Sequence, residues 1–482
     1  MIEEHSKSIV LLKSLIYNNT HRKDKGDNYM SLIYRVHNKH AISPVKLIVL
    51  FYFLAIIIST ALLNMPIFWR EGQSVTVFDG LFTSISAISV TGLSVVAIDE
   101  VFNTAGYFVL SFIFQLGGIG IMTLGTAIYM LIGKKIGIRE RQLISVDHNQ
   151  ATLSGLVRLT KKILKTILTI ELVGMIVLSI YYLNYFDTWQ EALLQGYFAS
   201  VSATTNAGFH ITGTSLALFA DDYFVQFVHI ILMILGAIGF PVLIELQQWL
   251  KNRKSGNSHF RFTTFMKLTV STYFILLIFG TIVIFLLENN HVFANQPWYQ
   301  ALFSSLFQSV STRSGGQVTI DIANYSTATL IIMAFLMFIG ASPSSAGGGI
   351  RTTTFAVMLL AVYNYAKGRQ SIKIFRREIS HQDTIRSFVV LTTAIALTFI
   401  SIFILAITES HSILEITFEV FSAFGTTGLS LGITSELSVI GRIVIMMMMF
   451  IGRIGIFSFL FLISSPPTKD RYSYPKARML IG

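Results

Sequence analysis

The chain has 482 residues, of which 53% are hydrophobic and only 13% charged, and it contains no cysteine. This balance is outside the range of soluble globular proteins and predicts a protein of the lipid bilayer. The lack of cysteine excludes disulfide bonds and thiolate metal sites, and a net charge of +11 would favour nucleic acid only if it were evenly spread.

The positive charge is concentrated in a few segments, so nucleic acid is not an expected partner. Of the 36 lysines and arginines, 31 fall in residues 1–46, 134–165, 251–267, 367–386 and 469–478. Two hydrophobic spans separate each segment from the next, which places all five on one side of the bilayer. The positive-inside rule makes this side cytoplasmic and predicts a multi-pass protein of the plasma membrane with both termini inside. The outward connections are acidic and would attract cations.

In chain order, residues 1–43 are polar and basic and lack the features of a signal peptide, which predicts a cytoplasmic tail. An apolar run over 44–68 is long enough to cross about 30 Å of hydrocarbon. Residues 77–88 are too few to cross and predict a re-entrant pore helix. A glycine loop around Gly92 and a second span over 104–132 follow, which completes a first module over 44–133.

The same order of span, short helix, glycine loop and span recurs three times. The later modules are residues 134–251, which include a cytoplasmic loop, then 252–367 and 368–464, and a cytoplasmic tail follows over 465–482. Their short helices are predicted to begin at Trp189, Trp298 and Ser412, and their second spans near Tyr223, Tyr325 and Leu437. One such segment alone could be an amphipathic surface helix, but four in equivalent positions favour re-entrant helices. The predicted fold is all-α, with eight transmembrane helices and four pore helices in pseudo-repeated modules around one central pore.

The motif Ser-Ala-Ile-Ser-Val-Thr-Gly-Leu at 86–93 has counterparts at 202–209, 310–317 and 422–429. Irregular backbone at membrane depth must line water or bind something. Carbonyl oxygens from four loops can replace the hydration shell of a potassium ion, and glycine adopts the positive φ angles that turn successive carbonyls inward. Glycines that only allow close helix packing are the alternative, but these lie between spans. The predicted filter residues are Val90, Thr91, Gly92, Asn206, Ala207, Gly208, Ser314, Gly315, Gly316, Thr426, Thr427 and Gly428.

With these motifs the chain resembles the Trk/Ktr/HKT superfamily of potassium transporters over residues of about 44–482. The matching motifs are Ser-Val-Thr-Gly-Leu at 89–93, Asn-Ala-Gly-Phe at 206–209, Ser-Val-Ser-Thr-Arg-Ser at 309–314, Gly-Gly-Gly-Ile-Arg-Thr-Thr-Thr at 347–354, Gly-Thr-Thr-Gly-Leu at 425–429 and Phe-Ile-Gly-Arg-Ile-Gly at 450–455. With only eight evident spans, the chain is most similar to the Ktr membrane subunit. The third loop departs from the family pattern Ala-Gly-Phe, because it contains Gly315, Gly316 and Gln317, so either glycine could be the equivalent one.

This resemblance implies potassium as the transported ion, and no organic cofactor in this chain. In the family, serine in place of the first loop glycine is associated with sodium selectivity, so four glycines favour potassium. The resemblance further implies a homodimer with one pore per subunit and a cytosolic ring of nucleotide-binding regulatory subunits. The basic inner segments are candidate contacts for that ring, or for the anionic lipid of the bilayer.

The second span of the third module is interrupted over residues 340–352, where Pro343 and the triple glycine Gly347, Gly348 and Gly349 cannot continue a helix. In line with the intramembrane gating loop of the family, we expect this segment to lie under the filter and obstruct permeation. A cytoplasmic turn is the alternative. Arg351, near the end of the segment, is assigned to the predicted gate together with the triple glycine and Arg453.

Four further charged residues lie in or near the spans. Arg453 is deep in the final span with no acidic residue near it, and is expected to hold carbonyl oxygens of the 340–352 loop. Arg442 is expected to snorkel or to pair with Glu436, and Arg313 to pack behind the filter against a carboxylate such as Glu419. Glu171 is either a functional intramembrane carboxylate or a buried structural one.

Three classes of function are compatible with such a chain. A potassium-conducting transporter subunit fits four same-direction repeats with loops that expose backbone. A cation-coupled secondary transporter of another solute would predict inverted repeats and polar side chains grouped at one site. An enzyme would need a nucleophile, a metal cluster or paired carboxylates, none of which is evident. We therefore expect potassium uptake without enzymatic activity, with a sodium-permeable member of the same superfamily as a further alternative.

Overall fold

The computed structural model describes residues 44–131, 155–254, 260–369 and 371–463, together with residues 136, 137, 141, 475 and 477. The predicted tail over 1–43, nearly all of the predicted tail over 465–482 and most of the first inner loop lie outside these residues.

Four long helices begin the four repeats of the chain. They are α1 (Pro44–Leu63), α6 (Leu156–Tyr182), α10 (Thr264–Glu288) and α14 (His381–Thr408). Each is long and apolar enough to cross a membrane. Large apolar side chains on their outer faces, such as Ile57 and Phe399, are exposed, as expected for surfaces in contact with lipid. These helices confirm the prediction of a helical multi-pass membrane protein.

A shorter helix follows each long one, close to the predicted positions. These short helices are α2 (Val77–Ser89), α7 (Trp189–Thr205), α11 (Trp298–Ser311) and α15 (Ile413–Gly425). Hydroxyl side chains begin three of them: Thr76, Thr188 and Ser412 each accept a hydrogen bond from the backbone N–H three residues later. The fourth begins after Pro297, whose backbone is already suited to a helix start.

The helices that close the repeats are all interrupted. They form the pairs α4 (Thr104–Ile119) and α5 (Ile121–Leu131), α8 (Tyr223–Ala237) and α9 (Phe240–Lys254), α12 (Thr327–Phe338) and α13 (Thr352–Ala366), and α16 (Val439–Ile454) and α17 (Ile456–Ile463). A four-residue helix, α3 (Ile98–Val101), precedes the first pair. Only the interruption between α12 and α13 was predicted.

The predicted second spans that begin at residue 104 and near Tyr223 and Leu437 are therefore interrupted rather than continuous. Gly120, Gly239 and Gly455 have φ angles of 99°, 101° and 81°, which a right-handed helix cannot contain. The axes bend by 102° between α8 and α9 and by 103° between α16 and α17. A glycine within an apolar run gives little local signal, because glycine is common in membrane helices.

One short pair of strands accompanies the helices of this all-α membrane protein. Strands β1 (Lys373–Ile374) and β2 (Arg377–Glu378) form an antiparallel hairpin in the basic segment before α14. The turn residues Phe375 and Arg376 both have positive φ, at 50° and 64°, as a two-residue hairpin turn requires. Neither is a typical turn residue, which is why sequence patterns did not indicate the hairpin.

Candidate functional site

The four loop glycines lie against one another and form what we call the glycine ring. A Cβ atom on Gly92 would be 3.0 Å from the Cα atom of Gly208, and one on Gly208 would be 3.3 Å from the Cα atom of Gly316. A Cβ atom on Gly316 would be 3.2 Å from the carbonyl carbon of Thr427, and one on Gly428 would be 3.1 Å from the Cα atom of Gly92. The loops therefore meet in chain order, so close together that a side chain at any of these positions would require the neighbouring backbone to move.

Each loop approaches its glycine through a residue in the left-handed conformation two positions earlier. The φ angles are 58° at Val90, 54° at Asn206, 67° at Ser314 and 47° at Thr426. In the third loop this register selects Gly316, which has a φ of 68°, whereas Gly315 is not among the positive-φ residues. The structure thus aligns Gly316 with the other three ring glycines.

The residue between the left-handed position and the glycine turns its N–H group back toward its own short helix. Thr91, Ala207 and Thr427 donate to carbonyl oxygens at distances of 2.8, 2.8 and 2.9 Å. Their own carbonyl oxygens face the neighbouring loop, and that of Ala207 would lie 2.5 Å from a Cβ atom on Gly92. The ring is therefore rich in carbonyl oxygens, which suits a dehydrated alkali cation.

Buried serines brace the loops, a feature the sequence analysis missed. Each hydrogen-bonds to backbone at or just after the ring glycine: Ser86 to the N–H of Gly92 (3.1 Å), Ser202 to the carbonyl of Phe209 (2.6 Å), Ser311 to the carbonyl of Gln317 (2.5 Å) and Ser422 to the N–H of Gly428 (3.1 Å). Serine begins three of the four motif copies, so an alignment of the copies indicates that these serines have a common role.

The loop between α12 and α13 is buried directly against two glycine loops. The N–H of Gly348 donates to the hydroxyl of Thr426 at 2.7 Å. A Cβ atom on Gly347 would lie 2.6 Å from that of Ser314, and one on Gly349 would lie 3.2 Å from the Cα atom of Gly425. This packing requires the triple glycine, and it is incompatible with an exposed turn.

Arg453 links this loop to the first repeat. Its guanidinium donates to the carbonyls of Ala346 in the loop and of Gly117 and Gly118 at the end of α4, the last at 3.1 Å. The residue is only 7% exposed, so its charge is stabilised by these carbonyl dipoles rather than by water. The predicted contact with loop carbonyls is present.

Arg351 holds the loop from its other end. It donates to the carbonyl of Gly347 and, at 3.4 Å, to that of Ser342. Arg351 and Arg453 both line a small cavity of about 80 Å³, which Gly120 also borders. Two fixed positive charges therefore lie beside a narrow space next to the loop.

The prediction that Arg313 packs against a carboxylate such as Glu419 is wrong. Its guanidinium donates to the carbonyl of Gly340 at 2.7 Å and lies 5.3 Å from the ring centroid of Tyr273. Glu419 instead accepts a hydrogen bond from the Ser430 hydroxyl at 2.8 Å within its own repeat. The arginine is stabilised by a carbonyl dipole and an aromatic face rather than by a carboxylate.

The predicted pairing of Arg442 with Glu436 is also wrong. Arg442 forms an ion pair with Asp79 of α2, with nitrogen and oxygen 2.8 Å apart, whereas Glu436 lies 3.7 Å from His411. Asp79 is distant in sequence, and the fold brings the first short helix beside α16. This ion pair joins the first repeat to the last.

Glu171 lies between helices and not in the glycine ring. One carboxylate oxygen accepts a hydrogen bond of 2.7 Å from the amide of Gln115, which connects α6 with α4. The hydroxyl of Ser200 also donates to the backbone carbonyl of Glu171, at 2.8 Å. These contacts favour the structural alternative for Glu171.

Comparisons with known proteins agree with this architecture. The model of the TrkH family, described as a cation transport protein, matches residues 36–472. The chain is 53% identical over 442 residues to Ktr system potassium uptake protein D of Bacillus subtilis, covering 92% of this chain and 98% of that protein. It is 32% identical over 448 residues to potassium/sodium uptake protein NtpJ of Enterococcus hirae, covering 92% and 98%.

A solved structure supports the same fold. The crystal structure of the potassium transporter TrkH from Vibrio parahaemolyticus matches with a TM-score of 0.70 over 95% of each chain, at 18% sequence identity. At this identity the likeness bears on the fold alone. The family model and the relatives matched over nearly their full length show the family of the chain. They confirm the resemblance found from the motifs. The chain belongs to the TrkH family of cation transport proteins.

Proposed function

We propose that this chain takes up potassium across the plasma membrane through the glycine ring. The observation that carries the proposal is the convergence of four loops at Gly92, Gly208, Gly316 and Gly428, where carbonyl oxygens of one loop lie against the glycine of the next. The potassium uptake named for the Bacillus subtilis relative supports the choice of ion. The filter is formed mainly by backbone carbonyls of the residues that end at each ring glycine: 90–92, 206–208, 314–316 and 426–428.

The ring performs this function by replacing water around the ion. Carbonyl oxygens substitute for the hydration shell, so the cost of dehydration is offset within the narrow passage. The four short helices end directly before the loops, and the partly negative carboxyl ends of their dipoles favour a cation there. The membrane potential, about 2.3 kcal/mol per charge per 100 mV, is sufficient to drive accumulation without another energy source.

The proposed architecture has eight membrane spans and four pore helices. In it, each interrupted pair of helices counts as one span, and the modules are residues 44–133, 134–251, 252–367 and 368–464. The four long helices and the two strongly bent pairs support six of these spans by length and composition. The basic inner segments support cytoplasmic termini.

The loop over 340–352 acts in this proposal as the gate. It lies against the glycine loops of the third and fourth modules, where Gly347, Gly348 and Gly349 leave no open space. The charges of Arg351 and Arg453 add an electrostatic barrier to a cation below the ring. Opening requires the loop to leave the hydroxyl of Thr426 and the carbonyl contacts of Arg453 to rearrange.

Further partners belong to the same proposal. The chain forms a homodimer with one pore in each subunit, and a cytosolic ring of nucleotide-binding subunits regulates it. The relative's name describes a Ktr system, which is in line with more than one component. The basic inner segments offer the charge for that contact.

A second candidate function is uptake of sodium as well as potassium. The name of the Enterococcus hirae relative includes both ions. Glycine at all four ring positions favours potassium in this chain, because in the family that it resembles, serine at the first of these positions is associated with sodium selectivity.

Flux measurements test both candidates. The purified chain is reconstituted into liposomes, and uptake of potassium, rubidium and sodium is compared under the same imposed potential. The expected result is passage of potassium and rubidium with exclusion of sodium, together with rescue of a potassium-uptake-deficient cell at low potassium. Comparable sodium flux would establish the second candidate, and liposomes that never pass potassium would refute the first.

A further inference from the structure

The residue that follows each ring glycine is buried, but only one of the four is polar. Leu93, Phe209 and Leu429 are apolar, and Phe209 stacks on Phe114 with ring centroids 6.1 Å apart. Gln317 occupies the equivalent position in the third loop and is 4% exposed. A buried amide in place of an apolar side chain needs hydrogen-bond partners.

Gln317 finds its partner in the second repeat. Its amide oxygen lies 2.7 Å from Nδ1 of His229, a fully buried residue of α8. Nε2 of the same imidazole lies 3.3 Å from the hydroxyl of Tyr182, which is buried at the end of α6. A neutral imidazole with its proton on Nδ1 donates to Gln317 and accepts from Tyr182, so one protonation state accounts for both hydrogen bonds.

Backbone contacts secure the same segment. The N–H of Leu216 donates to the carbonyl of Val318 at 3.0 Å, and the N–H of Val318 donates to the hydroxyl of Ser215 at 3.1 Å. Ser311 binds the carbonyl of Gln317 itself at 2.5 Å. The chain that leaves the ring at Gly316 is therefore held by the second repeat as well as by its own short helix.

We infer that Gln317, His229 and Tyr182 form a positioning clamp that fixes the third glycine loop and thereby contributes to ion discrimination. The inference rests on the proposed function, since it assigns the clamp to the ring through which potassium passes. At the position after the ring glycine the other three loops have an apolar side chain, whereas the third has an amide that hydrogen-bonds into the neighbouring repeat.

The pair of Gln317 and His229 makes a sharp prediction about combined substitutions. Removing Gln317 leaves Nδ1 of His229 without its partner, and removing His229 leaves both the Gln317 amide oxygen and the Tyr182 hydroxyl without theirs. Replacing both by apolar groups of similar size leaves only the Tyr182 hydroxyl unpaired and is therefore expected to cost less than the two single losses combined. Gln317→Leu and His229→Leu are therefore each expected to lower the ratio of rubidium to sodium uptake by about tenfold, and the double variant to restore most of it.

The experiment measures rubidium and sodium uptake in proteoliposomes for wild type, both single variants and the double variant. His381→Leu is the control, because His381 is exposed at the start of α14. Tyr182→Phe is expected to have a smaller effect, since His229 then keeps its bond to Gln317. The ratio is the decisive readout, because a general loss of folded protein lowers both fluxes together.

Single variants with unchanged ratios, or a double variant whose loss equals the product of the two single losses, would overturn the clamp. If the single variants do not fold, a folded and selective double variant supports it, and a double variant that also fails to fold refutes it. Wild-type protein that passes no rubidium would contradict the proposed function instead, so the two failures are distinguishable.

Discussion

Gly315 and Gly316 are adjacent, yet they meet different surroundings. A Cβ atom on Gly316 would lie 3.0 Å from the Cα atom of Gly208 and next to the backbone of Thr427, and neither can move without changing the ring. A Cβ atom on Gly315 would first meet the sulfur of Met233, at the flexible end of a side chain, at 2.5 Å, and then the Cα atom of Ser311 in its own short helix at 3.0 Å. Of the two, only Gly316 has a positive φ angle, which an alanine adopts with strain.

We therefore expect Gly316→Ala to lower rubidium uptake by about tenfold or more, given backbone strain of order 1–3 kcal/mol, and Gly315→Ala to retain most of it. Initial rates in proteoliposomes with equal protein content provide the measurement, and each variant is the matched control for the other. Equal losses in both would show that Gly316 has no special place in the ring.

A second prediction for a single residue concerns Arg453. Arg453→Gln removes a positive charge from the cavity and weakens the carbonyl contacts that join the loop to α4. Potassium flux is expected to rise severalfold, because both the electrostatic barrier and the latch on the loop are reduced. Rubidium uptake measures the change, and Arg386→Gln, at an exposed pair with Asp383, serves as the control.

Flux and regulation that are unaltered in Arg453→Gln, with normal expression, would rule out the latch. A fall in the amount of folded protein is measured separately by thermal unfolding, so that a structural loss is not mistaken for closure of the pore.

At the scale of elements, the loop over 340–352 is the proposed gate on the inner side of the ring. Deletion of Gly347, Gly348 and Gly349 is expected to raise the transport rate, because it removes the segment packed on the glycine loops. The same deletion removes the hydrogen bond to Thr426 and is expected to lower the unfolding temperature. Uptake assays and thermal unfolding of the same preparation measure both effects.

A matched control changes a different loop of the protein. Phe375→Asn combined with Arg376→Gly gives the inner hairpin a favourable two-residue turn and is expected to leave transport unchanged. A deletion variant with the wild-type rate and normal expression would show that the loop is no barrier.

For the whole molecule, the orientation of the repeats can be tested directly because the chain contains no cysteine. A cysteine at Asn295, exposed after α10, is expected to react with a membrane-impermeant maleimide added outside intact cells. A cysteine at Arg376, exposed in the hairpin, is expected to react only after permeabilisation. The reverse pattern would contradict cytoplasmic termini and the direction of uptake.

Local physical constraints made a large part of this protein predictable. Composition required a bilayer, and the positions of α1, α6, α10 and α14 followed from uninterrupted apolar runs. The glycine loops were recognisable because they recur, and the break after α12 because proline and three glycines exclude a helix. These signals lie within short stretches of chain, where backbone conformation and desolvation act on neighbouring residues.

Only the tertiary structure decided which distant groups meet. It chose Gly316 over Gly315, paired Arg442 with Asp79, placed Arg313 on the carbonyl of Gly340 and bent three further helices. Such pairings depend on which repeats become neighbours around the ring. A polar side chain in an apolar span can form its hydrogen bond with any donor or acceptor that packing brings near it, so the sequence alone does not identify the partner. The sequence by itself therefore determined the membrane, the repeats and the loops, whereas the contacts that hold the loops together arise only when the four repeats enclose one axis.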